Sequence, residues 1–442
     1  MSRGVIIAAP ASGSGKTVVT LGLVRHLTNK GLAVATAKVG PDYIDPAFHA
    51  AAGGRTCINL DPWGMRGETL TRAMACLAVD ADIVICEGVM GLFDGATVRF
   101  GSTADLAAHL GWPVVLVVDV SAQAASAAAV VGGFARHRPD VTVAAVIFNR
   151  VGSDRHAELV REACHQAVPE VAVGGCLPRT PGLSLPERHL GLVQAREHPA
   201  LEDFVQRAAE LVASHVDVPA LMALAAPVAE PKSRASLDSA RPVPPLGQRI
   251  AVADDLAFAF SYPLVIDGWR AAGAEIVPFS PLADEAPDAA ADAIYLPGGY
   301  PELHAGRLAA NHRFRAAVYH AAARGAVVWG ECGGYMVLGR GLVDADGHRH
   351  RMLDLLDLET SFAERRLHLG YRRAVLEADT VLGPAGTAYR GHEFHYARTV
   401  TEGPGQALFN CSGAAEQELG PTGLVQGLVM GSFVHLIDRE AV

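Results

Sequence analysis

Several things the chain lacks narrow its class at once. Its seven cysteines among 442 residues are odd in number, scattered, and without a C-x-x-C pair. Neither a disulfide framework nor a zinc site is expected, and a reducing cytoplasm is the default compartment. No apolar run approaches the ~20 residues of a membrane span; Pro113 to Val120 is only strand-sized. The stretch Met1 to Ala9 has too short an apolar core for a signal peptide. Basic residues are in deficit, 37 Lys and Arg against 47 Asp and Glu, for a net charge of −10. No nucleic-acid surface is expected from that balance, and an acidic ligand would need a local basic pocket.

What is present is half hydrophobic and moderately charged, long enough for about two to three domains. Short apolar strands are predicted at Gly4 to Ala9, Ala33 to Val39, Asp82 to Cys86, Val114 to Asp119, Val143 to Phe148 and Val171 to Leu177. Helical stretches such as Thr17 to Asn29 and Ser121 to Arg136 lie between them. This βαβ rhythm predicts an α/β fold with a mostly parallel sheet covered on both faces. From about Pro219 to Gln248 the pattern gives way to Pro, Ala and Ser, which reads as a linker. Strands return at Arg249 to Ala253, Glu275 to Phe279, Ala293 to Leu296, Ala326 to Trp329 and Leu428 to Val434. The expected organisation is a domain over 1–218, a linker over 219–248 and a second α/β domain over 249–442.

The first domain opens on a phosphate motif. Ser12-Gly13-Ser14-Gly15-Lys16-Thr17 follows a predicted strand and starts a predicted helix. Loop N–H groups and a helix N-terminus in that context cradle phosphates. Lys16 would neutralise β/γ oxygens and the Thr17 hydroxyl would ligate Mg²⁺. The position of the first Walker glycine is Pro10, outside the strict consensus. Glu87 ends a buried strand at the edge where open α/β sheets bind ligands, and is a candidate for Mg²⁺ or its waters. Lys38 through Pro46 carries Lys38, Asp42, Tyr43 and Asp45 just after another strand. Alone this is a solvated turn; beside the other two elements it is a candidate for the metal (Asp45) and the reacting carboxylate (Lys38, Asp42, Tyr43). Asp94 in an Asp-Gly turn is a weaker candidate of the same kind. Asn149 closes a later strand and could read an adenine edge or cap the next helix.

The second domain carries a thiol motif. The apolar run Gly325 to Trp329 leads into Gly330-Glu331-Cys332-Gly333-Gly334-Tyr335, the pattern of a strained strand-to-helix elbow that exposes a nucleophile. Gly298 and Gly299 end an earlier strand and, with Gly333, could direct N–H groups at an oxyanion. Near the end, Gly431-Ser432-Phe433-Val434-His435 delivers a histidine. A packing role for the cysteine and a plain turn for the glycines are the alternatives. Loop, elbow cysteine and late histidine stand in the order of class I glutamine amidotransferases.

With these motifs together, the chain resembles the cobyrinic/hydrogenobyrinic acid a,c-diamide synthases of corrinoid biosynthesis. The matching stretches are Ala8 to Thr17, Lys38 to Pro46, Asn59-Leu60-Asp61, Leu185 to Leu192, Phe279 to Leu282, Leu296 to Glu302, Glu331 to Tyr335 and Gly391-His392-Glu393-Phe394-His395-Tyr396. They run nearly end to end. The resemblance implies a P-loop, dethiobiotin-synthetase-like ATP domain fused to a glutaminase domain. It implies a ligase that uses ATP, Mg²⁺ and glutamine to turn the a and c carboxylates of a corrin macrocycle into amides through an acyl phosphate. Cys332 would attack glutamine and His435 would handle protons. Many class I amidotransferases carry a Glu two residues after the histidine; here that residue is Ile437, so a Cys-His dyad with another orienting group is implied.

Cobyric acid synthase and nickel-sirohydrochlorin a,c-diamide synthase are rival enzymes, and a partitioning-type switch ATPase is a rival of another class. Cys332 and its glycine loop speak against the switch ATPase. The sequence does not separate a cobalt-free from a cobalt-containing macrocycle, nor a monomer from a homodimer; no nucleic-acid or membrane partner is expected. A polyanionic macrocycle lying between the domains would draw on Arg365, Arg366, Arg372 and Arg373, with Arg188 and His189, unless these form a solvated face.

Overall fold

The computed structural model describes residues 2–185, 187–188, 191–229 and 242–440. The chain forms two compact units, Met1–Trp63 with Leu70–Ser239, and Gly64–Thr69 with Ala240–Val442. Residues 64–69, expected in the first domain, thus group with the second.

In the first unit β1 (Arg3–Ala8) runs through the loop at residues 9–15 into α1 (Lys16–Asn29). There follow β2 (Val34–Val39), α2 (Asp45–Gly53), β3 (Ile58–Leu60), β4 (Ile83–Glu87), β5 (Val114–Asp119), β6 (Val143–Val151) and β7 (Ala172–Pro178). The sheet order is β3-β2-β4-β1-β5-β6-β7, and every one of these pairings is parallel. Strands β2 and β4 are buried at every residue. Both faces of such a sheet are covered, so its strands read as continuous apolar runs. All seven therefore point their C-terminal ends the same way, and three of those ends carry Gly13–Lys16, Lys38 and Glu87. In register, Ile7 pairs with Glu87 and Lys38 with Glu87.

Two expected boundaries move. The helix predicted from Ser121 begins at Ser126, because Asp119 Oδ1 accepts the Ser121 N–H at 2.8 Å and holds a turn there. Within the stretch expected as linker, Val218–Leu224 is a helix capped by Asp217, and Ala226–Pro227 pairs antiparallel with Arg3 and Gly4. Pro219 sits in that helix's first turn, where its missing N–H costs nothing.

The second unit holds a ten-stranded mixed sheet. Its first five strands, all parallel, are Glu275–Phe279, Arg249–Ala253, Ala293–Leu296, Val327–Glu331 and Val429–Ser432. Antiparallel strands continue it: Glu418–Gln426, Gln406–Gly413, His368–Leu376, Ala388–His395 and His435–Arg439. A four-stranded sheet at Gly341–Val343, Arg349–Arg351, Leu358–Ser361 and Arg398–Glu402 packs as a separate element. The late strand expected from Leu428 to Val434 ends at Ser432. Phe433 and Val434 break it, and His435 opens a new strand paired with Ala388–His395. A core of Phe258, Phe279, Leu296, Phe314, Val328 and Tyr335, among others, lies beneath the parallel part.

Candidate active sites

The phosphate-type site rests on three strand ends. Gly13 and Gly15 take φ of 79° and 92°, a left-handed backbone open to glycine, and Gly15 leads into α1. Lys16 is buried and donates to the carbonyl of Met90 at 2.6 Å. Thr17 Oγ1 donates to Glu87 Oε1 at 2.8 Å. Lys38 Nζ, fully enclosed, donates to Asp45 Oδ2 at 2.5 Å and to Glu87 Oε1 at 3.0 Å, with Asp42 at 3.9 Å. Lys16, Thr17, Lys38, Asp45 and Glu87 are thus brought together as their motifs suggested.

Burial opposes the charge on Lys38, yet Asp45, Glu87 and Asp42 outweigh it and keep the ammonium protonated. Burial likewise opposes ionisation of Glu87, but Lys38 and His49 hold it well below the usual carboxylate range. Asp45 goes the other way, pushed to about 7 by burial and by Asp42 against the pull of Lys38. Burial and the nearby Lys38 lower Lys16.

The remaining first-unit candidates have local jobs. Asp42 Oδ1 accepts the N–H groups of Ile44 and Asp45, at 2.8 and 3.1 Å, and fixes the entry to α2. Asp94 Oδ2 accepts from Gly91 N at 2.9 Å and closes a turn, within electrostatic reach of Lys16. Tyr43 lies in the same loop as Asp42, half-buried. Asn149 Nδ2 donates to the Ser14 carbonyl at 2.9 Å, so its amide braces the Ser12–Thr17 loop. The next helix is capped by Ser153 instead.

His49 was not anticipated. Its Nε2 meets Glu87 Oε2 at 2.6 Å, fully buried, and its Nδ1 lies 3.5 Å from Cys57 Sγ. Burial disfavours its charge, but Glu87 outweighs that and raises it to about 10. It sits in α2, far from Glu87 in sequence, so only the β2–β4 adjacency reveals it. Thr17 Oγ1, Glu87 Oε1 and Asp45 Oδ2 are hard oxygens of the kind Mg²⁺ takes, and a bound ion would share both carboxylates with the Lys38 ammonium.

In the second unit Val327–Glu331 delivers Cys332 into the helix Gly333–Leu338. Cys332 has φ 48° and ψ −103°, a strained backbone for a residue with a side chain. A Cβ on Gly334 would stand 1.8 Å from the Leu296 carbonyl oxygen, so glycine alone permits the elbow to press on the neighbouring strand. The Gly333 N–H is directed at Cys332, and the Gly299 nitrogen lies 3.0 Å from where a Gly333 Cβ would be. Gly298 runs against the imidazole: a Cβ there would be 2.3 Å from His435 Cε1. Thiol, glycine loop and His435 converge, though they come from three separate stretches.

Burial pushes the Cys332 thiol well up, and Glu302 and Glu393 add to it. Burial, then His392 and His395, pushes His435 well below its usual value. Both groups are therefore neutral at rest. The His392 ring stacks on His435 at 4.9 Å and 19°, and its Nδ1 meets Tyr262 Oη at 3.1 Å. His395 stacks on Phe433 at 4.0 Å and bonds Glu393 Oε1 at 2.8 Å. Cys332 Sγ lies 3.9 Å from the Phe394 carbonyl. The stretch Gly391 to Tyr396, matched above without assigned roles, thus walls the thiol site.

The arginines expected to receive a macrocycle are partly committed. Arg372 pairs with Glu393 and Arg373 with Glu440, each at 2.8 Å. The Arg366 N–H donates to the Tyr396 carbonyl at 3.2 Å. His189 and the Arg188 side chain lie outside the described residues. His368, Glu393 and His395 bring ligand atoms within 4.8 Å of one another, but the Arg372 guanidinium beside Glu393 opposes a dication there. Among the described residues no helix is long and apolar enough to cross a membrane.

These two sites define a two-part amidotransferase with a nucleotide-binding half. Residues 5–193 match the CobQ/CobB/MinD/ParA nucleotide binding domain, and residues 249–441 match the CobB/CobQ-like glutamine amidotransferase domain. Over 436 residues the chain is 56% identical to the hydrogenobyrinate a,c-diamide synthase of Rhizobium meliloti (strain 1021), covering 99% of both. It is 55% identical over 437 residues to the enzyme of that name from Brucella abortus biovar 1 (strain 9-941), covering 99% of this chain and 98% of that one. Against that of Mesorhizobium japonicum the identity is 52% over 443 residues, covering 100% of this chain and 99% of the relative. The chain belongs to the hydrogenobyrinate a,c-diamide synthase family, and it is an enzyme of the glutamine amidotransferase type.

Proposed function

We propose that this chain converts the a and c carboxylates of hydrogenobyrinic acid into primary amides, using ATP and ammonia drawn from glutamine. The observation that carries the reading is the presence, in one chain, of a P-loop cluster of Lys16, Lys38 and Glu87 and of a cysteine on a glycine-walled elbow. One activates a carboxylate; the other frees an amine. Identity of 52–56% along nearly the whole chain with enzymes named for this substrate supports the choice of macrocycle.

A carboxylate does not accept ammonia until one oxygen becomes a leaving group. Transfer of the γ-phosphoryl group of ATP to that oxygen gives an acyl phosphate and ADP. Lys16 and the N–H groups of residues 13–16 hold the phosphates, while Lys38 steadies charge on the transferring group. Thr17, Glu87 and Asp45 would hold Mg²⁺, which when bound neutralises phosphate charge. Ammonia then attacks the acyl carbon, expels phosphate and loses a proton, leaving the amide.

At the second site Cys332 Sγ bonds to the glutamine amide carbon as its proton passes to His435. The carbonyl electron pair moves onto oxygen, where Gly299 and Gly333 N–H groups receive it. When the C–N bond breaks, the imidazolium returns the proton to nitrogen and ammonia leaves. Water hydrolyses the thioester to glutamate. The stoichiometry is one ATP and one glutamine per amide. Cytoplasmic location and use of Mg²⁺ belong to the same proposal.

Purified protein is tested with hydrogenobyrinic acid and with cobyrinic acid, each with ATP, Mg²⁺ and glutamine, products being identified by mass. A diamide from the cobalt-free acid, formed faster than from the cobalt complex, is expected. Faster turnover of cobyrinic acid would move the assignment to the cobalt-containing macrocycle, and no diamide from either would end it.

A further inference from the structure

The Cys332–His435 pair needs a group that sets the imidazole, and two residues on from the histidine stands buried, apolar Ile437. The residue just before the thiol is a carboxylate instead. Glu331 ends the strand Val327–Glu331 and is buried. Its position is fixed twice: Oε2 accepts from Tyr295 Oη at 2.7 Å, and Oε1 accepts from Leu436 N at 3.1 Å. The second bond ties it to the residue next to His435. The same Oε2 stands 3.9 Å from His435 Nδ1.

Resting on the thiol-site reading above, we propose that Glu331 is the positioning residue of His435: its carboxylate faces Nδ1, favours the tautomer with the proton there, and supports the imidazolium that forms as Cys332 gives up its proton. The orienting charge is thus supplied from the nucleophile's own strand. A carboxylate buried without a cation gains nothing from water, so it persists only where its neighbours use it.

The surroundings agree. His435 is flanked by the stacked ring of His392, which burial and then Arg372 push down to about 3, so it brings no charge. His395 and Glu393 act on His435 from further away. Glu393 is itself engaged by Arg372 and His395. Around Glu331 stand His435, neutral at rest, then Tyr295, the Leu436 N–H, Trp329, Cys332 and, beyond Tyr295, Tyr262. None of these is a cation. Burial pushes Glu331 up to about 7, only partly offset by the Tyr295 and Leu436 hydrogen bonds. The carboxylate is ionised above that pH and protonated below, so support for His435 fades as the solution is acidified through neutrality.

The test uses the full chain and Glu331→Gln, which keeps size and an acceptor oxygen while removing the charge. Glutamate release is followed against pH, with ammonia-dependent synthesis as the check on folding. Glutamine kcat should fall on the order of a hundredfold with KM little changed. The wild-type acid limb near pH 7 should vanish, and Glu331→Asp should recover part of the rate. Wild-type kcat and an unmoved acid limb in Glu331→Gln would overturn the proposal. Should that variant also lose ammonia-dependent synthesis, Tyr295→Phe decides. Removing the hydroxyl that stabilises the carboxylate should move the acid limb to higher pH, and an unmoved limb overturns the role. Cys332→Ala is run alongside: if it still hydrolyses glutamine, the thiol-site reading fails, whatever Glu331 does.

Discussion

The two halves of this chain bury their chemistry in opposite ways. In the first, the site is made of ions: Lys38, Glu87 and His49 sit almost without solvent contact, each charge held by the other. In the second, Cys332 and His435 are equally buried, but burial keeps both neutral. The difference follows from what each must receive. On the proposed reading polyphosphate and metal arrive charged, and the ion network offsets its desolvation cost by close pairing. On the same reading a glutamine amide arrives uncharged, and its charge appears only during reaction. Fixed N–H donors and an elbow then meet the developing charge, with one buried carboxylate, Glu331, as the proposed counterpart of the imidazolium that forms.

The sharpest way to break that contrast is to remove the neutral site's proposed nucleophile. Cys332→Ser should reduce glutamine-dependent synthesis by roughly a thousandfold or more, since a hydroxyl with no strong base is a poor nucleophile at neutral pH. Ammonia-dependent synthesis should stay at the wild-type rate, and parallel assays with the two nitrogen sources read both. If both fall in a folded variant, the thiol is structural.

Next in size is Lys16→Ala at the ionic site. It should lower turnover with either nitrogen source by about a hundredfold, while glutamate release in the absence of macrocycle persists. Unchanged ammonia-dependent turnover would show that this loop is not the synthetic site. The smallest effect expected is a shift in metal demand. Glu87→Gln keeps the shape but removes charge from the oxygens that meet Thr17 and His49, so about tenfold more Mg²⁺ should be needed for half-maximal synthesis. Mg²⁺ titrations that overlay wild type would remove Glu87 from the metal shell.

How far the sequence carried also differs between the halves, for a physical reason. In the parallel sheet, strands buried on both faces are unbroken apolar runs, and Val114–Asp119 stands where its pattern put it. The three-residue Ile58–Leu60 was too short to show a period. Arg249–Ala253, Glu275–Phe279 and Ala293–Leu296 were equally legible. The antiparallel strands were not: Arg398–Glu402 is exposed at every residue, and His368–Leu376 carries Gly370 and two arginines among its apolar positions. Their identity comes from pairing, which no local window contains. The sites divide similarly. Lys16 and Cys332 are announced by glycine spacing, whereas His49 meets Glu87 only because β2 lies beside β4. Asn149 reads as an adenine contact or a helix cap; the cap is Ser153, and the bond from Asn149 to the Ser14 carbonyl was invisible because the end of a strand says where a side chain starts, not which neighbouring carbonyl it meets.

The break at Phe433–Val434 bears on how the second unit folds. The strand before it joins the cysteine's own strand, while the one after it, led by His435, completes the far antiparallel side. Two residues thus cross from one partner set to the other, and the place of the imidazole depends on both pairings, Glu331 with Ser432 and His392 with His435. Contacts of such long sequence separation are the slow part of folding, because loop closure must be met before they contribute. Competence to hydrolyse glutamine is therefore expected to return last on refolding, trailing the recovery of secondary structure by circular dichroism. A chain caught before that step would carry its thiol on a formed elbow with no base beside it.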